Sequence, residues 1–292
     1  MIHVRKKMDI SERRACRILE QPRSSQRYVS MKVGKDAALV QRMLALSHEN
    51  PRYGYRRVWA LLRREGWEVN KKRVQRLWRE AGLRVPASRE RKRSRLTGTS
   101  ENGCTRRRAR YLDHVWSYDF AVDATEDGRR LKMMPIVDEY SRECLALEAE
   151  RSITAEGVME ILNRLFTERG EPAYIRSDNG PEFIAEAIKG WLAASGVETL
   201  YIEPGAPWEN AYSETFISRL RDELLDREVF ANVKEAKVLA EDYRDHYNHQ
   251  RPHGALGYLS PAEFAAVEAL SAKSSVPTEE LKELESVPRL SL

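Results

Sequence analysis

Three acidic residues stand where chemistry would need them. Asp119 interrupts the aromatic and β-branched run VWSYDFAVDAT, and strand alternation puts it on the Ser117, Ala121 and Asp123 side, opposite Tyr118, Phe120 and Val122. A charge inside such a strand demands a partner. Asp178 ends the run AYIRSD as it passes into NGPEF, at the carboxyl edge of a strand, where open α/β sheets place their ligands. Glu214 belongs to ENAYSETFISRLRDELL, a helix anchored by Phe216, Leu220 and Leu224 at a spacing of four. If that helix packs beside the strands, the three carboxylates converge.

Converging carboxylates without Cys or clustered His suit hard, oxygen-seeking cations, Mg²⁺ or in its place Mn²⁺. Two such ions ~3.5–4 Å apart stabilise the attacking and the leaving oxygen of an in-line phosphoryl displacement, with no covalent enzyme intermediate. Each residue alone has a plainer alternative. Asp119 could pair with an arginine, Asp178 could cap the next helix, and Glu214 could be solvated.

The elements that must position them read as follows. Residues 115–150 carry three strand-like runs, with EDG at 126–128 as a hairpin turn, so these strands are expected to be antiparallel. A helix at 154–169, a strand at 173–178, a helix at 181–195, a strand at 198–203 and a helix at 209–226 follow. The order β-β-β-α-β-α-β-α predicts an α/β fold, a mixed sheet flanked by helices. Another helix is expected at 234–247, then HQRPHGALGYLSPAEF, then a weakly structured tail from 269 to 292.

Residues 36–84 show a helical period instead, with Val58, Leu61 and Leu62 and then Val74, Leu77, Trp78 and Ala81. Gly66 can take the turn conformation, Asn70 can cap KKRVQRLWREAG, and Gly82 can stop it. The second of these two helices bears Lys71, Lys72, Arg73, Arg76 and Arg79, which matches a helix-turn-helix whose second helix enters a major groove. An ordinary helical hairpin with a solvated basic face is the alternative. SERRACRILE is a further candidate helix within a basic segment, 1–35.

The net charge of +5 hides an asymmetry. Residues 1–110 hold 31 Lys and Arg against 10 Asp and Glu, a net +21, whereas residues 111–292 hold 19 against 35, a net −16. The basic end has the electrostatic footprint of a nucleic-acid binder. Residues 85–110 lack apolar pattern and read as a basic linker able to track phosphates. No run approaches the ~18 apolar residues of a spanning helix, and the start lacks a signal-peptide core, so a cytosolic, nucleoid-associated protein without membrane contact is expected. Cys16, Cys104 and Cys144 are too far apart for a disulfide framework or a paired zinc site.

WSYDF at 116–120, SDNGPEF at 177–183 and NAYSETFISRLRDE at 210–223 resemble the signatures of DDE transposases and retroviral integrases, above all the second reading-frame product of the insertion-sequence-three family. Between Asp178 and Glu214 lie 35 residues, the spacing typical of that family, and Arg221 follows Glu214 by seven, where the family has Lys or Arg. The resemblance extends from residue 11 to about 265 and takes in RYGYRRVWALLRREGWEVNKKRVQRLWREAGL and YNHQRPHGALGYLSPAEF. It implies a ribonuclease H-like core at 111–230 after the helix-turn-helix domain at 36–84, and a C-terminal helical extension at 231–268. It implies that Asp119, Asp178 and Glu214 bind two Mg²⁺ ions. It also implies DNA partners, the terminal inverted repeats and the target, with an oligomer assembled on DNA and an upstream reading-frame product fused or in trans. Arg221 is expected to touch DNA. A catalytically idle regulator occupying element ends is the competing function. Asp123 and Asp138 are decoys, the latter expected to pair with Arg142.

Overall fold

The computed structural model describes residues 7–27, 32–86, 108–177, 186–201 and 210–274. The chain divides into two compact units, Met1–Arg84 and Val85–Leu292.

In the first unit α1 (Glu12–Ile18), α2 (Arg23–Arg27), α3 (Lys32–Glu49), α4 (Tyr55–Arg64) and α5 (Lys71–Glu80) succeed one another. Leu39, Met43 and Leu46 of α3 pack on Val58 and Leu62 of α4 and on Val74, Leu77 and Trp78 of α5. The two helices expected between 36 and 84 are therefore joined by a third, α3, whose apolar residues recur at i, i+4 and i+7. Asn70 caps α5 by accepting from the Lys72 backbone N–H at 2.9 Å. Gly66 and Gly82 take φ +84° and +69°, a left-handed conformation that glycine adopts without a Cβ clash. The indole Nε1 of Trp59 donates to the Val69 carbonyl at 2.9 Å and ties the turn down.

The second unit is built on β1 (Val115–Tyr118), β2 (Ala121–Ala124), β3 (Arg130–Asp138), β4 (Cys144–Glu150), β5 (Tyr174–Ser177) and β6 (Glu198–Tyr201). Both β1 and β2 pair antiparallel with β3, β4 lies along the other edge of β3, and β1, β5 and β6 run parallel. The run VWSYDFAVDAT, read as one strand, is thus two. The register nevertheless continues from Tyr118 opposite Ile136 to Ala121 opposite Met133 without a slip, so β1 and β2 are halves of one row. The gap between them faces Met134 and Pro135, and a proline has no N–H for the ladder.

Alternation divides the sheet's side chains between two cores. Trp116, Tyr118, Met134, Ile136 and Ile175 pack with α6 (Ala155–Arg169) and α7 (Glu186–Ala194). Ala121, Leu131, Met133 and Val137 pack with α8 (Ala211–Leu220) and α9 (Val233–His249). A mixed sheet sandwiched in this way is the ribonuclease H-like architecture.

Helix α8 does not run on as an α-helix to 226. It changes at Arg221 into a π-helical turn, Arg221–Leu225, closed by the Asp226 N–H on the Arg221 carbonyl at 2.8 Å. The chain also remains ordered beyond 268, because α10 spans Pro261–Ser274 and the Tyr140 hydroxyl donates to its Glu268 at 2.7 Å. The rest of the tail, 275–292, lies outside the described residues.

Candidate active site

Asp119 occupies the gap between β1 and β2. Its Oδ1 accepts the Phe120 backbone N–H at 2.7 Å, which satisfies that donor locally. Alternation from Ser117 to Ala121 puts Asp119 on the α8 side of the sheet, half-buried. Phe120 turns to the other side, where the Lys132 ammonium lies 3.5 Å from its ring centroid.

Helix α8 lies across β1 and β3 on that same side, held by Phe216, Ile217 and Leu220. Phe216 meets Tyr247 of α9 edge to face, with 4.8 Å between centroids. Glu214, in the first turn of α8, keeps an exposed side chain. Partial desolvation nonetheless raises its carboxyl above the usual range. Two carboxylates therefore belong to one face of the sheet. Asp178 lies outside the described residues, directly after Ser177, the last residue of β5. Among the described residues no group of three or more His, Cys, Asp or Glu side chains assembles around a cation position. The donor set of Asp119 and Glu214 is all oxygen and anionic, which fits a hard divalent ion and not a soft one.

The decoys are otherwise engaged. Asp123 accepts the Ala124 N–H at 2.8 Å. Asp138 pairs in register with Trp116, on the side away from Asp119, and accepts from the N–H and hydroxyl of Ser141 at 2.8 and 2.6 Å. Arg142, its expected partner, instead lays its guanidinium 3.8 Å from the ring centroid of Tyr212, two residues before Glu214. Arg142 lies in the turn between β3 and β4 with φ +67°, its N–H on the Asp138 carbonyl at 2.9 Å.

Arg221 points back to the sheet, with Nη2 donating to the Val122 carbonyl at 3.4 Å and Nε buried without a hydrogen-bond partner among the described residues. Neither Asp222 nor Glu223 holds it in an ion pair. Glu223 is taken by Arg251. Of the C-terminal string, Arg251 is buried, His253 sets its ring against Tyr247 at 4.8 Å, and His249 stays exposed beside Asp245. A second buried pair, Arg176 with Glu139 at 2.8 Å, links β5 to the end of β3. Pairs so distant in sequence leave no local pattern from which they could be read.

In the first unit all five expected DNA-facing cations lie on α5. The Lys71 ammonium sits 4.5 Å from the Trp59 ring centroid. Arg73 and Arg76 both turn to Asp36 of α3, and Arg76 also to Glu80, while Lys72 and Arg79 stay exposed.

Three family models match the chain: an HTH-like domain at residues 35–92 and two integrase core domains at 112–207 and 195–261. The insertion element IS407 uncharacterized 31.7 kDa protein of Burkholderia multivorans is 39% identical over 288 residues, 96% of this chain and 100% of that protein. This chain belongs to the DDE transposases of the insertion-sequence-three family. The putative transposase InsK for insertion sequence element IS150 of Escherichia coli is 29% identical over 85% of this transposase and 91% of its own length. Among solved structures, the HTLV-2 integrase catalytic core domain in complex with magnesium (trimeric form) is similar at a TM-score of 0.42 and 16% identity, over 54% of this chain and 99% of that one. Transposases of this family are metal-dependent polynucleotidyl transferases that act on DNA. No helix of the transposase among the described residues is long and apolar enough to cross a membrane.

Proposed function

We propose that Asp119, Asp178 and Glu214 are the catalytic carboxylates of this transposase. They would hold two Mg²⁺ ions while the enzyme cleaves the ends of its own element and joins the resulting 3′-hydroxyl to a target phosphodiester. The observation that carries this reading is the parallel register of β1 and β5, which sets Ser117 beside Arg176. In the sequence Asp119 follows Ser117 by two and Asp178 follows Arg176 by two, and Asp119 lies on the side of the sheet crossed by α8, which carries Glu214 in its first turn. Such ions, when bound, would stabilise the negative charge that develops on the attacking and leaving oxygens.

The chain's own residues do the rest. The bond between Phe120 N–H and Asp119 fixes one carboxylate before substrate arrives. Phe216 and Leu220 keep Glu214 turned along the same face. Arg221, seven residues or nearly two turns after Glu214 and so about 10 Å along the helix from it, would grip a phosphate of the element end. In strand transfer the 3′-oxygen forms a bond to phosphorus as the bond from phosphorus to the target's 3′-oxygen breaks, and one phosphodiester replaces another. Assembly on the terminal inverted repeats as an oligomer, with an upstream reading-frame product fused or in trans, belongs to the same reading.

A strand-transfer assay with labelled element ends tests it. Asp119→Ala, Asp178→Ala and Glu214→Ala should each lose cleavage and joining by at least roughly 100-fold while DNA affinity stays near that of the parent. Near-normal Mg²⁺-dependent cleavage by any one of them would overturn the assignment. A parent that binds element ends but never cuts them would favour the idle regulator.

A further inference from the structure

The five cations of α5 are not equivalent. The helix buries Val74, Leu77 and Trp78, leaving Lys72 and Arg79 exposed on its outward side and Gln75 half-buried on the flank beside them. Arg73 and Arg76 are exposed too but turn their guanidinium groups toward α3. There Arg73 gives Nε and Nη2 to Asp36 Oδ1, the former at 2.9 Å, and Arg76 gives Nη2 to Asp36 Oδ2 at 3.0 Å. The other edge of Arg76 reaches both oxygens of Glu80 at 2.9 Å. Asp36 is buried, and the two guanidinium groups hold its carboxyl below the usual range.

Two arginines and two carboxylates cancel. A DNA phosphate that drew Arg73 and Arg76 off Asp36 would strip a buried carboxylate of its partners, which is costly. Lys72, Gln75 and Arg79 have no side-chain partner among the described residues. Lys72 and Arg79 are seven residues apart, about 10 Å along the axis, and they flank an amide able to take an adenine edge with both of its groups.

We propose that Lys72, Gln75 and Arg79 form the DNA-reading row of α5, and that Arg73 and Arg76 are a neutral bracket positioning α5 on α3 through Asp36. Lys72 and Arg79 supply charge to the phosphates, and Gln75 supplies base selectivity. The proposal rests on the reading of this unit as the transposase's DNA-binding domain.

The test is fluorescence anisotropy with the full chain over a salt series, using an element-end duplex and a scrambled duplex of equal length. Lys72→Ala and Arg79→Ala should each reduce the slope of log affinity against log salt by about 0.9 on both duplexes, with an unchanged melting temperature. Gln75→Ala should keep the slope and lose roughly tenfold of the preference for element ends. Arg73→Ala and Arg76→Ala should keep the slope and melt earlier. Asp36→Asn keeps the test decisive if those two fail to fold, because it frees one positive charge and should steepen the slope by about 0.9. A slope lost with Arg73→Ala or Arg76→Ala, kept with Lys72→Ala and Arg79→Ala, or unmoved by Asp36→Asn would overturn the proposal. A parent whose affinity ignores salt would sink the DNA-binding reading of the unit itself.

Discussion

Arg251 grips Glu223 with one whole edge of its guanidinium, Nε and Nη2 donating to the two carboxylate oxygens at 2.8 and 2.7 Å. The side chains are 3% and 8% exposed. The Tyr243 hydroxyl adds a bond to Glu223 at 3.4 Å, and Arg251 Nη1 lies 3.2 Å from His253 Nε2. The pair ties the C-terminal string to the π-helical turn that begins at Arg221. Burial of this kind stabilises only while both partners are present.

Arg251→Ala should therefore cost about 3–5 kcal/mol in urea unfolding of the full chain. Replacing both residues, Arg251→Met with Glu223→Leu, should recover much of that loss, since neither charge is then stranded. Equal losses for the single and double variants would mean that packing, not charge, accounts for the site.

Arg221 offers a contrast, because among the described residues its polar contacts are one long bond to a carbonyl, and its buried Nε has no hydrogen-bond partner there. Its loss should weaken end binding more than it slows the chemical step. Arg221→Lys should recover part of the affinity, and Arg221→Glu should bind less well than Arg221→Ala because it repels phosphate. The same end-DNA affinity in all three variants would leave Arg221 a purely structural role.

Asp138 carries a pH signature. Burial pushes its carboxyl up to about 6, against the opposing pull of the Ser141 bonds. A carboxyl raised on folding favours the protonated native state, so its contribution is full below about pH 4 and is lost as pH rises through about 6. Two units correspond to about 3 kcal/mol. The parent should lose about that much stability relative to Asp138→Asn between pH 4 and 7, and parallel stability curves would refute the assignment.

Asn70 is the cap of α5, and Asn70→Ala should cost about 1 kcal/mol. Amide exchange at Val74–Trp78 in the full chain should then quicken roughly fivefold if local opening governs it. Exchange at α9 should not change.

Much of this architecture was legible in the sequence because its elements obey simple periods. The strand runs within RLKMMPIVDEYSR and ECLALEAE, the cap at Asn70 and the turn at Gly128 all reappear as read. The interruption at Asp119 was invisible, since the alternating pattern passes through it unbroken and its cause, Pro135, lies across the ladder. The π-helical turn was equally hidden, because RDELL reads as ordinary helix. Charged residues misled most. Arg73, Arg76, Arg176 and Arg251 look solvated in a single sequence, yet their partners lie 37, 40, 37 and 28 residues away. Asp119 and Glu214 could be chosen from their settings, whereas Asp36, the distant carboxylate that Arg73 and Arg76 share, could not.

The unslipped register across Asp119 and Phe120 makes this stretch intolerant of changes in length. Two residues are spanned, an even number, so the inward and outward code of β2 stays in phase with that of β1. Deleting or inserting one residue there would turn Ala121 outward and swing Val122 and Ala124 into the α8 core. A two-residue insertion would spare that code and merely move Asp119 away from Ser117. Substitutions at this point test chemistry, but single-codon gains and losses would scramble which side of the sheet faces its helices.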